Sequence, residues 1–264
     1  TGGHLFPAQA LAEALIGRGW SIVLASDERV AGFAQDFPAE RRIGLSSATY
    51  RSGNPLSMLA AGLAVMRGAS QARSVYREIG PNVVVGFGGY PSAPAVVGAI
   101  FDRRPTVIHE QNAVMGRANR MLAARVTRVA CVFPTLLKAP PQVVGQAVVV
   151  GNPVRPPIQA LADLPYVPPT AEGPIRILVT GGSQGARLLS ELVPEAIAAL
   201  PEPLRQRLVV QQQTRPESME AARRTYRNAV VDAEIAPFFR DMATRLGAAH
   251  LVIGRSGAGS VCEF

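Results

Sequence analysis

The sequence is poor in cysteine and aromatic residues and has no long apolar run, and these scarcities exclude several classes of protein. Its two cysteines, Cys131 and Cys262, are too few for a disulfide framework, and its first residues do not resemble a secretion leader. The longest apolar runs end before Arg67 and Asp102, well short of the roughly 18 residues that span a bilayer. The sequence therefore predicts a cytosolic setting and no transmembrane segment.

Aromatic side chains and closely spaced acidic pairs are also scarce. Phe, Trp and Tyr together make up 6% of the chain and are not interleaved with the basic residues, which disfavours a nucleic-acid-binding module. No Asp-x-Asp pair occurs, and helix N-termini can stabilise a negatively charged group without a metal, so we expect no obligatory metal ligand and no obligatory cofactor.

The rest of the composition is that of a globular protein with more than one domain. The chain has 264 residues, against about 150 for a typical domain, and 48% of them are apolar, enough to bury a core. Short runs rich in Val and Ile alternate with helical stretches, which is typical of parallel α/β sheets covered on both faces. The predicted helices are 7–17, 116–124 and 186–200, and the predicted strands are 21–26, 83–87, 106–109, 126–133, 147–150, 175–180, 208–212, 229–235 and 250–253.

A proline-rich stretch separates two α/β halves. Residues 153–174 hold seven prolines and no convincing period, so we place an interdomain linker there. It joins an N-terminal lobe, 1–152, to a C-terminal lobe, 175–264. Because the chain begins inside a glycine turn and stops where a helix is expected to start, we expect the C-terminal lobe to be truncated.

The net charge of +8 is concentrated in the first half of the chain. Residues 1–150 carry 15 basic and 8 acidic side chains, whereas residues 151–264 carry 12 and 11. Such a field could attract nucleic acid, an anionic membrane surface or a phosphorylated substrate, or could belong to an ordinary basic surface. Composition alone leaves these possibilities open.

Four glycine-rich turns lead into helices, at residues 1–4, 86–90, 180–186 and 254–260. In such a turn the backbone N–H groups approach an anion closely, and the helix N-terminus adds about half a positive charge. Because parallel strands place these turns at their carboxyl ends, we expect the four turns to line a cleft between two lobes.

Two other classes of nucleotide-binding protein fit less well. A dinucleotide-binding enzyme could use Asp27 as its ribose ligand, but Phe6, Pro7 and Ala8 stand where its fingerprint needs a third glycine. The turn at 180–186 lacks the lysine of a phosphate-binding P-loop. A dinucleotide-binding or non-catalytic sugar-nucleotide-binding protein is therefore kept only as an alternative.

Several polar side chains beside these turns are candidates for chemistry. His4 stands at a helix entrance, where burial near the positive dipole end favours a neutral imidazole, so it is either a general base or a capping residue. Glu110, Gln111 and Asn112 follow a predicted strand, either at the cleft edge or in a simple turn. Arg155 could clamp a phosphate or be solvated.

Taken together, the motifs resemble those of the MurG family. The segments TGGHLFPAQALAEAL, VVVGFGGYPSAPAVV, IHEQNAVMGRANRML, VVGNPVR, ILVTGGSQGARLLSELVP and GRSGAGSVCEF occur in the family's order and run from Thr1 to Phe264. Members are N-acetylglucosaminyltransferases that convert lipid I to lipid II in peptidoglycan synthesis, at the cytoplasmic face of the bacterial membrane. The resemblance implies a GT-B fold with two Rossmann-like lobes and inversion to a β-1,4 linkage. Another UDP-sugar glycosyltransferase of GT-B fold is the alternative.

The resemblance also implies roles for individual residues. UDP-GlcNAc is expected mainly on the second lobe and lipid I on the first. His4 matches the proposed base for the muramyl C4 hydroxyl, and Glu263 is expected on the ribose hydroxyls. The other expected donor contacts are Thr1, Gly2, Gly3, Asn112, Arg155, Ser183, Phe239, Ala258, Gly259, Ser260, Val261 and Cys262, and the candidates for the acceptor or its diphosphate are Gly88, Gly89, Tyr90, Glu110 and Gln111.

The chain departs from the family pattern near its end. The family's usual GALTVSE is GAGSVCE here, which keeps a hydroxyl at Ser260 but places a thiol at Cys262. The glutamine-rich motif that contacts the sugar hydroxyls is expected past residue 264, so we expect the chain as given not to turn over.

An apolar stretch in the basic half is flanked by arginines. It predicts either a patch that docks on an anionic membrane surface or a helix that faces the core. Its apolar members are Leu56, Met58, Leu59, Leu63, Val65 and Met66, and the nearby arginines are Arg51, Arg67 and Arg73.

Overall fold

The computed structural model describes residues 2–27, 37–47, 55–145, 147–182 and 185–264. The chain forms two compact units, an N-terminal unit, His4–Pro153, and a C-terminal unit, Val154–Phe264, which also takes in Gly2 and Gly3. The pairs of neighbouring strands in both units are parallel, so the predicted α/β class is confirmed. The predicted limits of the lobes and of the linker stay a prediction.

The N-terminal part of the chain contains two parallel sheets. One is the pair β1–β2, and the other has the strand order β3-β4-β5-β6. In chain order the elements are α1 (Gly2–Ile16), β1 (Val23–Ser26), β2 (Arg41–Gly44), α2 (Pro55–Ile79), β3 (Val84–Gly86), α3 (Ala93–Phe101), β4 (Thr106–Glu110), α4 (Arg117–Leu122), β5 (Arg128–Cys131), α5 (Pro141–Val144) and β6 (Ala147–Val149).

The C-terminal unit contains one parallel sheet with the strand order β10-β7-β8-β9. Its elements are α6 (Pro156–Gln159), β7 (Ile175–Thr180), α7 (Arg187–Ala198), α8 (Glu202–Arg205), β8 (Leu208–Gln213), α9 (Met219–Asn228), β9 (Asp232–Ala236), α10 (Met242–Ala248), β10 (Leu251–Gly254) and α11 (Ala258–Glu263). The short helix α6 lies within the stretch 153–174.

Each unit has its own apolar core, built on its four-stranded sheet. In the N-terminal unit Ile108 of β4 and Val96 of α3 are fully buried and belong to one cluster. In the C-terminal unit Val179 of β7, Val210 of β8 and Tyr226 of α9 form the equivalent cluster. The apolar side chains of the central strands are buried beneath these helices, as is typical of parallel sheets.

Small residues allow α2 and α3 to pack closely. A Cβ added at Gly98 of α3 would lie 2.8 Å from the carbonyl oxygen of Ala69 on α2. Farther along α2, the hydroxyl of Tyr76 donates to the carbonyl oxygen of Ala95 at 2.8 Å. The two helices pack together against Val84 of β3, the strand that leads into the turn at residues 87–90.

Some sequence-based boundaries are wrong, for identifiable reasons. β7 has the predicted bounds, but α1 begins at Gly2, before the predicted start at Pro7, which lies inside the helix. A proline so near the N-terminus removes only one early backbone hydrogen bond. The strand predicted at 229–235 begins at Asp232, because residues 229–231 close α9. No helix in the described ranges is long and apolar enough to cross a membrane.

Candidate active site

The first candidate site lies where β3 and β4 end. His4, in the first turn of α1, is half-buried, and its Nδ1 is 2.8 Å from Oε1 of Gln111. Gln111 directly follows β4 and is buried. Its Nε2 donates to the carbonyl oxygen of Phe87, just after β3, at 3.4 Å. The structure therefore brings together residues that are far apart in sequence.

Two glycines form the floor under the His4 ring. Gly88 and Gly89 have φ values of 89° and 72°, a region that favours glycine. A Cβ at Gly88 would lie 3.5 Å from Cε1 of His4, and one at Gly89 would lie 3.4 Å from its Cδ2. Tyr90, half-buried, begins a short 3-10 helix directly after them. The positive φ values of the turn thus favour glycine at both positions, and the His4 ring lies in ordinary van der Waals distance of them.

The carboxylate of Glu110 organises the loop after β4. Although Glu110 is buried, both of its oxygens accept hydrogen bonds. Oε1 accepts from the backbone and side-chain nitrogens of Asn112 at 3.0 and 3.2 Å, and Oε2 accepts from the Gly116 N–H and from Nδ2 of Asn119, each at 2.9 Å. A buried carboxylate is tolerated when it is fully hydrogen-bonded, as here. The loop that carries Gln111 and Asn112 is consequently fixed.

Burial changes the acid–base behaviour of His4. Desolvation lowers the pKa of its imidazole below the usual 6.5, whereas the hydrogen bond with Gln111, the charge of Glu110 and the carbonyl of Phe87 partly oppose that shift. The imidazole is therefore neutral at pH 7, the state that a general base requires.

His109 connects β4 to the end of the N-terminal unit. The ring is buried, and its Nε2 lies 3.0 Å from the carbonyl oxygen of Gly151, to which it donates as an N–H. Burial lowers the pKa of His109, so the ring is neutral in that role. Sequence reasoning missed this contact, because His109 reads as an ordinary strand residue.

In the C-terminal unit, Gln213 holds the glycine-rich turn after β7. Its Oε1 accepts from Thr180 Oγ1 and from the Gly181 N–H, each at 3.1 Å. Its Nε2 donates to the carbonyl oxygens of Gly182 at 2.9 Å and Pro237 at 3.2 Å. All four hydrogen-bonding positions of the buried amide are used. The sequence analysis did not select Gln213. It lies at the end of β8, and residues 110–112 were selected for the same reason, their place at the end of a strand.

Arg155 and Glu263 meet within the same unit. Nη2 of Arg155 is 3.5 Å from Oε1 of Glu263, and both side chains are largely buried. Desolvation raises the pKa of Glu263, and the charge of Arg155 opposes the shift. The remaining expected donor residues at the chain end, from Ala258 to Cys262, lie in α11 with Glu263.

Phe239 lies beneath a guanidinium group. The ring is buried, and Cζ of Arg245 is 3.9 Å from its centroid. Arg245 also pairs with Asp241 at 2.8 Å and with both carboxylate oxygens of Glu234 at 2.5 and 2.8 Å. Sequence reasoning did not select Arg245, because nothing in the pattern distinguishes it from a solvated helix residue.

The remaining residues expected to contact the donor lie in α1, in the loop after β4 or outside the described part of the chain. Gly2 and Gly3 lie in the first turn of α1, and Asn112 is exposed while bonded to Glu110. Thr1 and Ser183 lie outside the described residues. Within the described ranges, no group of three or more His, Cys, Asp or Glu side chains is placed to hold a metal ion.

Comparison with known families defines the class of protein. Residues 1–131 match the glycosyltransferase family 28 N-terminal domain, and residues 176–264 match the glycosyltransferase family 28 C-terminal domain. With the parallel α/β sheets of both units, these matches define a glycosyltransferase of the GT-B class, as the resemblance implied.

Individual relatives narrow the class. The chain is 78% identical over its whole length to the UDP-N-acetylglucosamine–N-acetylmuramyl-(pentapeptide) pyrophosphoryl-undecaprenol N-acetylglucosamine transferase of Phenylobacterium zucineum, and it spans 72% of that protein. The protein of the same name from Caulobacter vibrioides is 62% identical over the whole chain, which spans 73% of it. The crystal structure of Acinetobacter baumannii MurG has a TM-score of 0.69 and 29% identity, with 99% of this chain and 72% of that one covered. The chain belongs to the MurG family of N-acetylglucosaminyltransferases.

Proposed function

We propose that the protein transfers GlcNAc from UDP-GlcNAc to the C4 hydroxyl of the muramyl sugar of lipid I, giving lipid II. The observation that carries this proposal is the 78% identity, over the entire chain, to a relative named for that transfer. The neutral, half-buried imidazole of His4 supports it, because a sugar hydroxyl needs a base as it attacks.

The reaction is a single displacement at the anomeric carbon of GlcNAc. His4 takes the proton of the acceptor hydroxyl, whose oxygen forms the new bond to the anomeric carbon. The bond from that carbon to the diphosphate oxygen breaks, and its electron pair leaves with UDP. Attack from the face opposite the leaving group inverts the configuration, giving a β-1,4 linkage.

We place the donor mainly on the C-terminal unit. Arg155 is 3.5 Å from Glu263, and it favours the ionised carboxylate that would accept the ribose hydroxyls. The buried ring of Phe239, held by Arg245, supports an apolar wall for the base. Gln213 fixes the turn after β7, which supports a diphosphate contact there.

The remaining assignments are proposals from the resemblance. Those for the donor are Thr1, Gly2, Gly3, Asn112, Ser183, Ala258, Gly259, Ser260, Val261 and Cys262, and those for the acceptor are Gly88, Gly89, Tyr90 and Glu110.

We also propose that transfer needs no metal ion. The positive ends of helices such as α7, which follows the turn at 180–186, can stabilise the departing diphosphate. Activity should therefore persist in EDTA, measured after treatment of protein and buffers with a chelating resin. Loss of activity in EDTA and recovery with one divalent cation would overturn this proposal.

Finally, we propose that the N-terminal unit docks on the cytoplasmic face of an anionic membrane. Met58, Leu59, Leu63 and Met66 form an apolar stripe on α2, and each of these residues is 51–63% exposed, so they do not face the core. Arg67 and Arg77 are also exposed on this helix. Apolar side chains beside cations are what an anionic lipid surface binds.

The other expected members of this patch are placed differently. Arg73 is half-buried, and its Nε lies 3.8 Å from Oδ1 of Asp102 rather than at the rim. Val65 is half-buried, whereas Arg51 and the side chain of Leu56 lie outside the described residues. We do not expect nucleic acid as a partner, because aromatic side chains are scarce.

The transfer itself is tested with labelled UDP-GlcNAc and a short-chain lipid I analogue. The full-length protein should move the label into the lipid product with a β-1,4 linkage, identified by NMR of the purified disaccharide. An analogue without the muramyl C4 hydroxyl is the matched control and should receive no label. Failure to label the normal acceptor, or equal labelling of the control, would contradict the proposal.

A further inference from the structure

Both ends of the Gln111 amide are held by groups of the fold. Its Nε2 faces the carbonyl oxygen of Phe87 at 3.4 Å, and a carbonyl oxygen can only accept a hydrogen bond. The nitrogen end of the amide must therefore point to Phe87, so the oxygen end points to His4. Gln111 is also buried, so its amide lies within the fold, between the turn after β3 and α1.

The orientation of the amide decides which nitrogen of His4 carries the proton. Oε1 of Gln111 is 2.8 Å from Nδ1 of His4, and an amide oxygen is only an acceptor. Nδ1 must consequently be the N–H of a neutral ring, and Nε2 keeps the lone pair. An isolated neutral imidazole favours the opposite tautomer, with the proton on Nε2, so the contact with Gln111 has a specific effect.

The surroundings keep this arrangement rigid and leave room beside Nε2. The Glu110 carboxylate fixes the loop through Asn112, Gly116 and Asn119, so Gln111 cannot turn easily. On the other side of the ring, a Cβ at Gly89 would begin 3.6 Å from Nε2 of His4. Because residue 89 is a glycine, no side chain from that position covers Nε2.

We infer that Gln111 is a positioning residue, which holds His4 in the Nδ1–H tautomer so that Nε2 is the atom that takes the acceptor's proton. The inference rests on the proposed function, in which His4 is the base. It assigns Gln111 to the orientation of His4 rather than to the acceptor diphosphate.

Few charges act on His4. The carboxylate of Glu110, from the end of β4, raises the pKa of the imidazole. The turn at residues 87–90 contributes no carboxylate or cationic side chain. Because these groups are the same in the wild type and in variants of Gln111, differences between the proteins report the change at residue 111.

The tautomer can be measured directly, without any substrate. Nitrogen-15 NMR of the full-length protein with labelled histidine, at a pH above the pKa of His4, should show Nδ1 protonated and Nε2 unprotonated. The His4 signals are assigned by their absence from His4→Ala. In Gln111→Leu the proton should move largely to Nε2, while Gln9→Leu, a change on α1 that removes a bond to Glu13, should leave the His4 signals unchanged. A wild-type His4 protonated at Nε2 overturns the inference, whatever the acceptor proves to be.

Kinetics provides a second, separate readout. Gln111→Leu should lower kcat for GlcNAc transfer by about tenfold or more, with UDP-GlcNAc binding unchanged in calorimetry. Gln111→Glu should regain much of that rate, because its carboxylate also accepts from Nδ1. The negative charge of the carboxylate introduced in Gln111→Glu raises the pKa of His4. The acid limb of the plot of kcat/KM against pH should therefore move to higher pH.

The two possible failures are distinguishable. If the two variants are equally slow and the acid limb does not move, Gln111 has only a structural role and the inference is wrong. If the wild type transfers nothing to the lipid I analogue, the proposed function fails instead, and the NMR result still decides the tautomer.

Discussion

At the scale of the residue, Glu110 and Gln111 are consecutive but have different tasks. Glu110 satisfies donors of its own loop, whereas Gln111 reaches back to His4, distant in sequence. The position of these residues after a strand predicts that they lie near a glycine-rich turn. It does not predict their partners, because hydrogen bonds between distant segments depend on how the strands are arranged. Asn119 and Gln213 were missed for the same reason.

Val230 is strained, and its replacement by glycine should stabilise the protein. It follows the C-terminus of α9 with a φ of 55°, exposed, while the Val231 N–H donates to the carbonyl oxygen of Tyr226 at 3.0 Å. A Cβ is unfavourable in this region, so Val230→Gly should raise the free energy of unfolding by about 1 kcal/mol in urea denaturation. Val230→Ala keeps the Cβ and should gain less. Equal gains in both variants would show that the backbone is not the cause.

At the scale of the element, buried strands are predictable and solvent-facing elements are less so. β4, β7 and β8 each contain a short run of Val, Ile or Leu that is buried because helices cover both faces of the sheet, and the positions of these strands follow from the sequence. β2 has exposed arginines and no such pattern. The sequence analysis did not give bounds for α2. Several of its apolar residues lie on the solvent face, so its apolar pattern does not mark a single buried face.

Two glycines of α2 should respond oppositely to alanine. A Cβ at Gly68 would overlap the carbonyl oxygen of Ser46 and lie 2.8 Å from Cβ of Pro94 on α3, whereas one at Gly62 meets nothing within 4 Å. Gly68→Ala should therefore lower the free energy of unfolding by about 1–3 kcal/mol through overpacking. Gly62→Ala should raise it by about 0.5–1 kcal/mol, because alanine favours the helix. Denaturant titration measures both, and a destabilised Gly62→Ala would mean that this face of α2 is packed.

At the scale of the whole molecule, the excess positive charge and the apolar stripe on α2 belong to the same half of the chain. Replacing Leu59, Leu63 and Met66 together by glutamine should weaken co-sedimentation of the full-length protein with anionic vesicles. The reason is that each apolar side chain that leaves water on binding contributes roughly 1.5–3 kcal/mol to the free energy of binding. The control variant has Leu188 and Leu192, two exposed leucines of α7, replaced by glutamine in the same way. It should bind anionic vesicles like the wild type.

Binding should also depend on charge, since each cation near an anionic surface contributes about 1 kcal/mol. It should decrease with salt and disappear on vesicles of neutral lipid. Vesicle binding indifferent to lipid charge, or equal for the stripe variant and the α7 control, would remove the docking proposal without affecting the chemistry.

The central claim is that His4 is the base of a GlcNAc transfer, and turnover by His4→Ala measured beside donor binding tests it most directly. With labelled UDP-GlcNAc and the lipid I analogue, the full-length variant should be slower by about 100-fold or more. Calorimetry should give it the same affinity for UDP-GlcNAc as the wild type, because removal of a base need not disturb the donor. Unchanged turnover in His4→Ala would contradict the claim, as would a loss explained entirely by weaker donor binding.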